Sequence, residues 1–311
     1  MTPVVCLSRS HDLKKMFATA FASEAPDLRL MHPDEVEESA AVRVALVHRP
    51  GPADFDRFPN LGLICTWGAG VDALLFHPAL PGDAMIARMT DPGQAAMMAA
   101  TATFYVTGWH RDMFGYPAQQ ARREWREREW SANESVPVGL LGYGNMGAAI
   151  GRALRALGYP VSAWGSRARV EDGIEVGAGR DALDRLLGAS RVVICVLPLT
   201  DATRGILNAR TFAQMREDAL LVQLARGAHL VEDDLIPALD AGRPGAAALD
   251  VFETEPLPTD HPFWGHPRIM ITPHIGSSPT HAGVARSVAR SVAAWKTGAL
   301  PEGFVDRARG Y

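Results

Sequence analysis

Three polar residues each follow a short apolar run: Arg226 follows residues 220–224, Glu255 follows Ala246–Leu249, and His274 follows residues 269–272. If those runs are parallel strands of one sheet, the three side chains share its carboxyl rim, where open α/β sheets bind their ligands. Together they could reduce a 2-oxo acid by hydride. Arginine grips a carboxylate with a bidentate fork and polarises the neighbouring carbonyl. Histidine donates the proton that the carbonyl oxygen must accept as hydride reaches the carbon. A glutamate beside it orients the ring and favours its charged form. Singly, each has a plain reading: Arg226 as a surface charge, Glu255 as a loop acid before Pro256, His274 as a satisfied histidine after Pro273. Only their convergence speaks for catalysis.

Hydride needs a carrier, and Gly142-Tyr143-Gly144-Asn145-Met146-Gly147 supplies a place for one. The motif follows a predicted strand and opens a helix predicted over 148–157, the context in which GxGxxG binds a dinucleotide. Gly142 permits the tight turn, Gly144 lets backbone N–H groups approach a pyrophosphate, and Gly147 lets helix and strand pack closely. About twenty residues on, an acid would bind the ribose 2′-hydroxyl of NAD. The sequence there is Trp164-Gly165-Ser166-Arg167-Ala168-Arg169, with no acid, while Ser166 and Arg167 suit a 2′-phosphate. The expectation is NADP (NADPH), with NAD as the alternative.

Stepping outward, apolar runs at 4–7, 42–47 and 61–66 read as strands of a small α/β sheet, with a helix over 13–21 between the first two. Residues 94–111, rich in Ala and Met and free of Pro, predict one buried helix linking two halves. From 138 onward, apolar runs at Val138–Leu141, Val161–Trp164, 192–197, 220–224, Ala246–Leu249 and 269–272 alternate with helical patterns, which implies a mainly parallel doubly wound sheet. A last helix, His281–Lys296, is expected to pack back on the first domain. The fold class is therefore α/β, two Rossmann-like domains of doubly wound parallel sheets with an active-site cleft between them.

Composition narrows the partners. A chain of 311 residues with 47% hydrophobic and 21% charged residues builds a packed core. A net charge of -4 gives no basic excess for nucleic acid. Neither a signal peptide nor a run of membrane-spanning length is written, so a cytoplasmic protein with no membrane partner is expected. Cys6, Cys65 and Cys195 are too scattered for a disulfide framework or a zinc site, and no metal is expected. Cys65 and Cys195, inside predicted strands, read as buried hydrophobes. Trp67, Trp109, Trp125 and Trp130 read as packing, except Trp67, which adjoins Gly68-Ala69-Gly70, a turn whose successive N–H groups could cradle a carboxylate. A short-chain dehydrogenase is excluded, because no Tyr stands four residues before any of Lys14, Lys15 or Lys296.

Five stretches occur in one order: Gly142 to Gly147; Leu197-Pro198-Leu199-Thr200-Asp201-Ala202-Thr203-Arg204-Gly205; Leu224-Ala225-Arg226-Gly227; Ala248-Leu249-Asp250-Val251-Phe252-Glu253-Thr254-Glu255-Pro256; and Thr272-Pro273-His274. In these the chain resembles the D-isomer-specific 2-hydroxyacid dehydrogenase family. Within it, Trp67 to Asp72, Trp264 to Arg268 and the C-terminal Val305 to Tyr311 are most similar to the glyoxylate/hydroxypyruvate reductase A branch. The resemblance implies Arg226 as substrate clamp, His274 as acid/base and Glu255 as its partner. It implies Leu197, Pro198, Thr203 and Ala225 along the cofactor, and Asp250 near the nicotinamide carboxamide. It further implies a substrate-binding domain of residues 1–98 and 283–311, a dinucleotide domain of 99–282, a homodimer, and a small 2-oxo acid as substrate. Two departures stand out: Gln223 where relatives commonly have Asn, and Ala99-Ala100-Thr101 where a Glu is usual. A non-enzymatic nicotinamide sensor on the same fold is the alternative function, and it would retain the same residues.

Overall fold

The computed structural model describes residues 1–129 and 131–311 and divides them into two compact units, Met1–Gln94 with Ser278–Tyr311, and Ala95–Ser277. Trp130 lies outside the described residues.

The first unit is built on a five-stranded parallel sheet. Its strands are β1 (Thr2–Ser8), β2 (Leu28–Met31), β3 (Val44–His48), β4 (Leu63–Thr66) and β5 (Met85–Ala87), in the order β2-β1-β3-β4-β5. Helix α1 (Leu13–Glu24) returns the chain from β1, and a single turn, α2 (Asp72–Leu75), follows β4. Val4, Cys6, Val44 and Leu46 pack under α1 and the last helix, His281–Lys296. Their neighbours Val5, Leu7, Ala45 and Val47 face the opposite layer with Phe55 and Phe58. Such alternation buries both faces of the sheet. Sequence reading omits β2 and β5, the two edge strands, since exposed Arg29 interrupts Leu28–Met31 and Met85–Ala87 offers only three residues in a short apolar run.

The chain crosses into the second unit within α3 (Pro92–His110), followed by the short α4 (Tyr116–Ala121). The expectation of a buried helix needs correcting. Met98, Ala102, Tyr105 and Val106 are buried, but Met97 and Phe104 are exposed. Apolar on every side, the sequence carries no mark of which face meets water.

The second unit holds β6 (Val138–Leu141), α5 (Asn145–Ala156), β7 (Val161–Trp164), β8 (Arg169–Glu171), β9 (Ile174–Gly177), α6 (Gly179–Ala189) and β10 (Val192–Cys195). It continues through α7 (Ala209–Gln214), β11 (Leu220–Gln223), α8 (Glu232–Asp240), β12 (Ala246–Leu249) and β13 (Ile269–Ile271). The eight strands lie in the order β13-β12-β11-β10-β6-β7-β9-β8, parallel except for β8 against β9. Val192 and Ile194 pack toward α3 and α5, while Val193 and Cys195 pack toward α6, α7 and α8. The sheet is thus wound on both faces. The chain runs outward from β6 to β7, then returns to β10, so the order reverses between β6 and β10, the place where such sheets hold ligands. Two details differ from expectation. Helix α5 begins at Asn145, three residues early, because the glycine motif itself forms the first turn. The β8–β9 hairpin is absent from the sequence reading because β8 is exposed throughout and lacks an apolar face.

Among the described residues no helix is long and apolar enough to cross a membrane, and no cluster of His, Cys, Asp and Glu could hold a metal ion. Cys6, Cys65 and Cys195 are buried and unpaired, and desolvation pushes each thiol up to about 12.

Candidate active site

The glycine motif stands at the reversal of strand order. Gly142 follows β6 with φ of 103°, which glycine adopts freely, and its N–H donates to the Trp164 carbonyl at 2.9 Å. A Cβ on Gly147 would fall 2.1 Å from the Gly142 carbonyl oxygen, so helix and strand can approach this closely only with glycine there. Gly144 caps α5 without a side-chain hydrogen bond, which leaves the N–H groups of the first helical turn to a ligand. Around Gly144 a Cβ would meet nothing within 4 Å, and Asn145 beside it is exposed, whereas Tyr143 is buried against the sheet. Met146 is half-buried in the same turn. These features fit a dinucleotide pyrophosphate.

Ser166 and Arg167 are exposed just past the end of β7. Sequence reasoning passes over Arg169, which starts the hairpin strand β8. Its guanidinium donates to the Tyr143 carbonyl at 2.6 Å, sits 5.8 Å above the Tyr143 ring and pairs with Glu171 at 2.6 Å. A cation from β8 therefore braces the glycine turn. On the other side, past β10, Leu197 is buried and Thr203 closes a turn, its hydroxyl donating to the Pro198 carbonyl at 2.7 Å and accepting the Thr200 N–H at 2.9 Å.

Arg226 follows β11 and is half-buried, with Nη1 donating to the carbonyl of buried Ala225 at 2.6 Å. Gln223, fully buried, spans this turn: its Nε2 donates to the Arg226 carbonyl at 3.0 Å and its Oε1 accepts the Ala225 N–H at 3.2 Å. The longer amide at this departure from the family pattern thus braces the backbone of the Ala225–Arg226 turn. Next to it, Gly227 lies against the chain after β12, where a Cβ would be 1.9 Å from the carbonyl carbon of Phe252. The Arg226 loop and the loop leading to Glu255 therefore touch backbone to backbone.

The Glu255 carboxylate accepts from His274 Nδ1 at 2.8 Å, and its other oxygen accepts the Phe252 N–H at 3.1 Å. Because Nδ1 serves the carboxylate, Nε2 is the nitrogen left for proton transfer. His274 itself has φ of 54°, in the left-handed region, and its N–H donates to the Asp250 carbonyl at 2.8 Å. That geometry is held from two sides. Asp250, almost wholly buried, accepts from Thr272 Oγ1 at 2.7 Å and from the N–H groups of Ile275 and Gly276, each at 2.8 Å. From α3, Tyr105 bonds Thr272 Oγ1 at 3.0 Å and Thr101 donates to the Gly276 carbonyl at 2.8 Å. Thr272 gives its single hydroxyl proton to the carboxylate, so Tyr105 is the donor of its pair. Asp250, expected beside a carboxamide, has a carboxylate already engaged with its own chain. Thr101 and Tyr105 are functional neighbours that an apolar helix pattern does not reveal.

In the first unit, Thr66 at the end of β4 donates to the Gly68 carbonyl at 2.7 Å, shaping the turn Trp67-Gly68-Ala69-Gly70. The Trp67 ring lies 4.4 Å from the His48 ring, 5.1 Å from His11 and 5.8 Å from Phe17. Burial, with help from Arg49 and His11, lowers His48 to about 4. Trp109 packs under Arg191 in the second unit, whereas Trp125 is fully exposed.

Residues 103–276 match the family model described as D-isomer specific 2-hydroxyacid dehydrogenase, NAD binding domain. A glyoxylate/hydroxypyruvate reductase A of Serratia proteamaculans is 38% identical over 272 residues, 86% of this chain and 87% of that protein. A D-isomer specific 2-hydroxyacid dehydrogenase from Xanthobacter autotrophicus Py2, solved with NADPH and MES, superposes with a TM-score of 0.95 at 33% identity, covering 100% of this chain and 99% of the other. An NADPH-dependent glyoxylate/hydroxypyruvate reductase from Sinorhizobium meliloti, solved with NADP and sulfate, superposes with a TM-score of 0.92 at 31% identity, covering 100% of both chains.

Proposed function

The chain belongs to the D-isomer-specific 2-hydroxyacid dehydrogenase family and is an NAD(P)-dependent dehydrogenase, and from that premise we propose that it is an NADPH-preferring reductase of small 2-oxo acids of the glyoxylate and hydroxypyruvate type, yielding D-2-hydroxy acids. The observation that carries the reading is the 2.8 Å contact of His274 with Glu255 on the same sheet rim as the glycine turn. When bound, the nicotinamide supplies the hydride. The chain's residues do the rest. Gly142 to Gly147 hold the pyrophosphate, Ser166 and Arg167 the 2′-phosphate, and Leu197, Pro198, Thr203 and Ala225 line the cofactor, with Asp250 near the carboxamide while anchoring the His274 loop.

Arg226 binds the substrate carboxylate, a stronger acceptor than the Ala225 carbonyl on which its Nη1 rests. His274 delivers a proton from Nε2 to the carbonyl oxygen, and Glu255 keeps the ring oriented and offsets the positive charge it carries beforehand. In the substrate-binding unit, the Trp67 to Gly70 turn offers N–H groups to a carboxylate.

Two further assignments rest on exposure and chemistry. Phe104, Met113 and Trp125, all exposed along α3 and the segment that follows it, are apolar side chains suited to a homodimer contact. Three unpaired cysteines suit a reducing cytoplasm.

A panel of 2-oxo acids assayed with NADPH and with NADH tests the proposal, with the configuration of the product formed from hydroxypyruvate read by chiral chromatography. No oxidation of either cofactor with any acid overturns the enzyme assignment, and preference for NADH overturns the role of Ser166 and Arg167.

A further inference from the structure

His229 is the one histidine among the described residues that is fully buried. It ends the short turn Gly227–His229, three residues past Arg226, and its two ring nitrogens reach two different loops. Nδ1 lies 3.2 Å from the Arg226 backbone nitrogen, and Nε2 lies 3.3 Å from the Pro198 carbonyl oxygen. An amide N–H only donates and a carbonyl only accepts, so both contacts form together when the ring proton sits on Nε2. Nδ1 is also 3.0 Å from the Arg226 carbonyl oxygen, but that oxygen already receives Gln223 Nε2 at 3.0 Å and the His229 N–H at 3.1 Å. The Pro198 carbonyl in turn accepts Thr203 Oγ1 at 2.7 Å, which completes both of its lone pairs.

A core position of this size would be filled more simply by an apolar side chain, because a buried imidazole is tolerated only when its polar atoms are bonded. The groups it bonds belong to the loop that carries the substrate clamp and the loop that lines the cofactor. We propose that His229 is a positioning residue that couples those loops, fixing the Arg226 backbone against the Pro198 carbonyl so that the carboxylate clamp and the cofactor wall keep one register. The inference rests on the reductase reading for the roles of the two loops.

The two nitrogens can be tested apart. In His229→Asn the amide oxygen can stand near the Nδ1 position and accept the Arg226 N–H, but the side chain stops short of Pro198. In His229→Gln an amide N–H can reach Pro198 while the acceptor for Arg226 is lost. Loss of either bond breaks the bridge, so each variant should weaken both constants by about fivefold: NADPH binding, read by fluorescence titration without substrate, and the half-saturation constant for the 2-oxo acid. A crossed pattern, in which each variant moves only the constant of the loop it releases, or no shift in either variant, overturns the coupling.

A measurement on the unaltered protein covers the case in which neither variant folds. Nitrogen NMR of histidine-labelled protein should show one exchange-protected ring in the Nε2–H form, moving both on adding NADPH and on adding oxamate. An Nδ1–H form, or a ring silent to either ligand, overturns the proposal. If the wild-type protein reduces no 2-oxo acid, the reductase reading fails, while the NADPH arm and the tautomer still decide whether His229 braces the cofactor loop.

Discussion

Replacing Gly227 by alanine would force apart the loop that carries Arg226 and the loop that leads to Glu255. The added Cβ would fall 1.9 Å from the Phe252 carbonyl carbon, 2.0 Å from its oxygen and 2.3 Å from the Glu253 nitrogen. All three are backbone atoms, so no rotamer relieves the contact. Ordinary packing begins near 3.4 Å, which leaves the backbones to part by about 1.5 Å. Phe252 N–H holds Glu255 at 3.1 Å and Glu255 holds His274 at 2.8 Å, so the displacement reaches the acid as well as the clamp. Misplacing reacting groups by about 1 Å costs on the order of 100-fold in rate, and overpacking costs about 1–3 kcal/mol of stability. Gly227→Ala should therefore lower kcat/KM for glyoxylate with NADPH by about 100-fold or more. NADPH affinity should fall less, by about fivefold, because Gly227 opens the turn whose His229 ring reaches the Pro198 carbonyl of the cofactor loop, while the 142–147 turn does not touch this contact. Steady-state assay, fluorescence titration and a melting curve measure the three quantities. A folded variant with turnover within about fivefold of wild type would show that the contact does not set the geometry of the chemistry.

Other substitutions probe single contacts. Glu255→Gln keeps a partner for His274 but removes the charge, so kcat should fall by about 100-fold while KM stays nearly constant; a rise in KM alone would count against the assignment. Gly144→Ala meets no atom of the chain, so the melting temperature should hold while NADPH binding weakens by about tenfold as the pyrophosphate is pushed from the helix N-terminus. Ser166→Asp introduces an acceptor for a ribose hydroxyl and a repellent for a 2′-phosphate, and the ratio of kcat/KM with NADPH to that with NADH should drop by about 100-fold. Asp250→Asn sets an amide donor against one of the two N–H groups, of Ile275 or Gly276, that bond its separate oxygens, costing about 1–3 kcal/mol, and should lower the melting temperature by several degrees together with kcat.

Strands buried on both faces were legible because their apolar runs are continuous, as in Val192–Cys195, and the glycine motif was legible because its spacing encodes a turn. The hairpin that delivers Arg169 to the Tyr143 carbonyl carries no apolar signature at β8, so its strand character arises only from pairing with β9. Arg226, Glu255 and His274 could be singled out by their place after strands. Of the residues that hold them, Gln223 and Thr101 stand out only as departures from the family pattern and His229 and Tyr105 not at all, because they act through contacts as far as 175 residues apart in sequence, which no local period records. His229 shows the limit most sharply, since its residue type suits a surface loop as readily as a core and only burial decides between them.

The chain passes between the two units twice, in the loop at Ser277–Ser278 and, at the first crossing, inside α3. Exchange of the second unit between relatives therefore means splicing a continuous helix, where phase matters as much as sequence. Each residue added or lost turns the following side chains by about 100°. A join between Thr101 and Tyr105 that is one residue out of phase would put those two side chains on different faces, so that Tyr105 could not bond Thr272 while Thr101 bonds Gly276 unless the helix buckled to compensate. Chimaeras joined in phase should keep the His274 loop, and those joined out of phase should lose it with every residue of the active site still present.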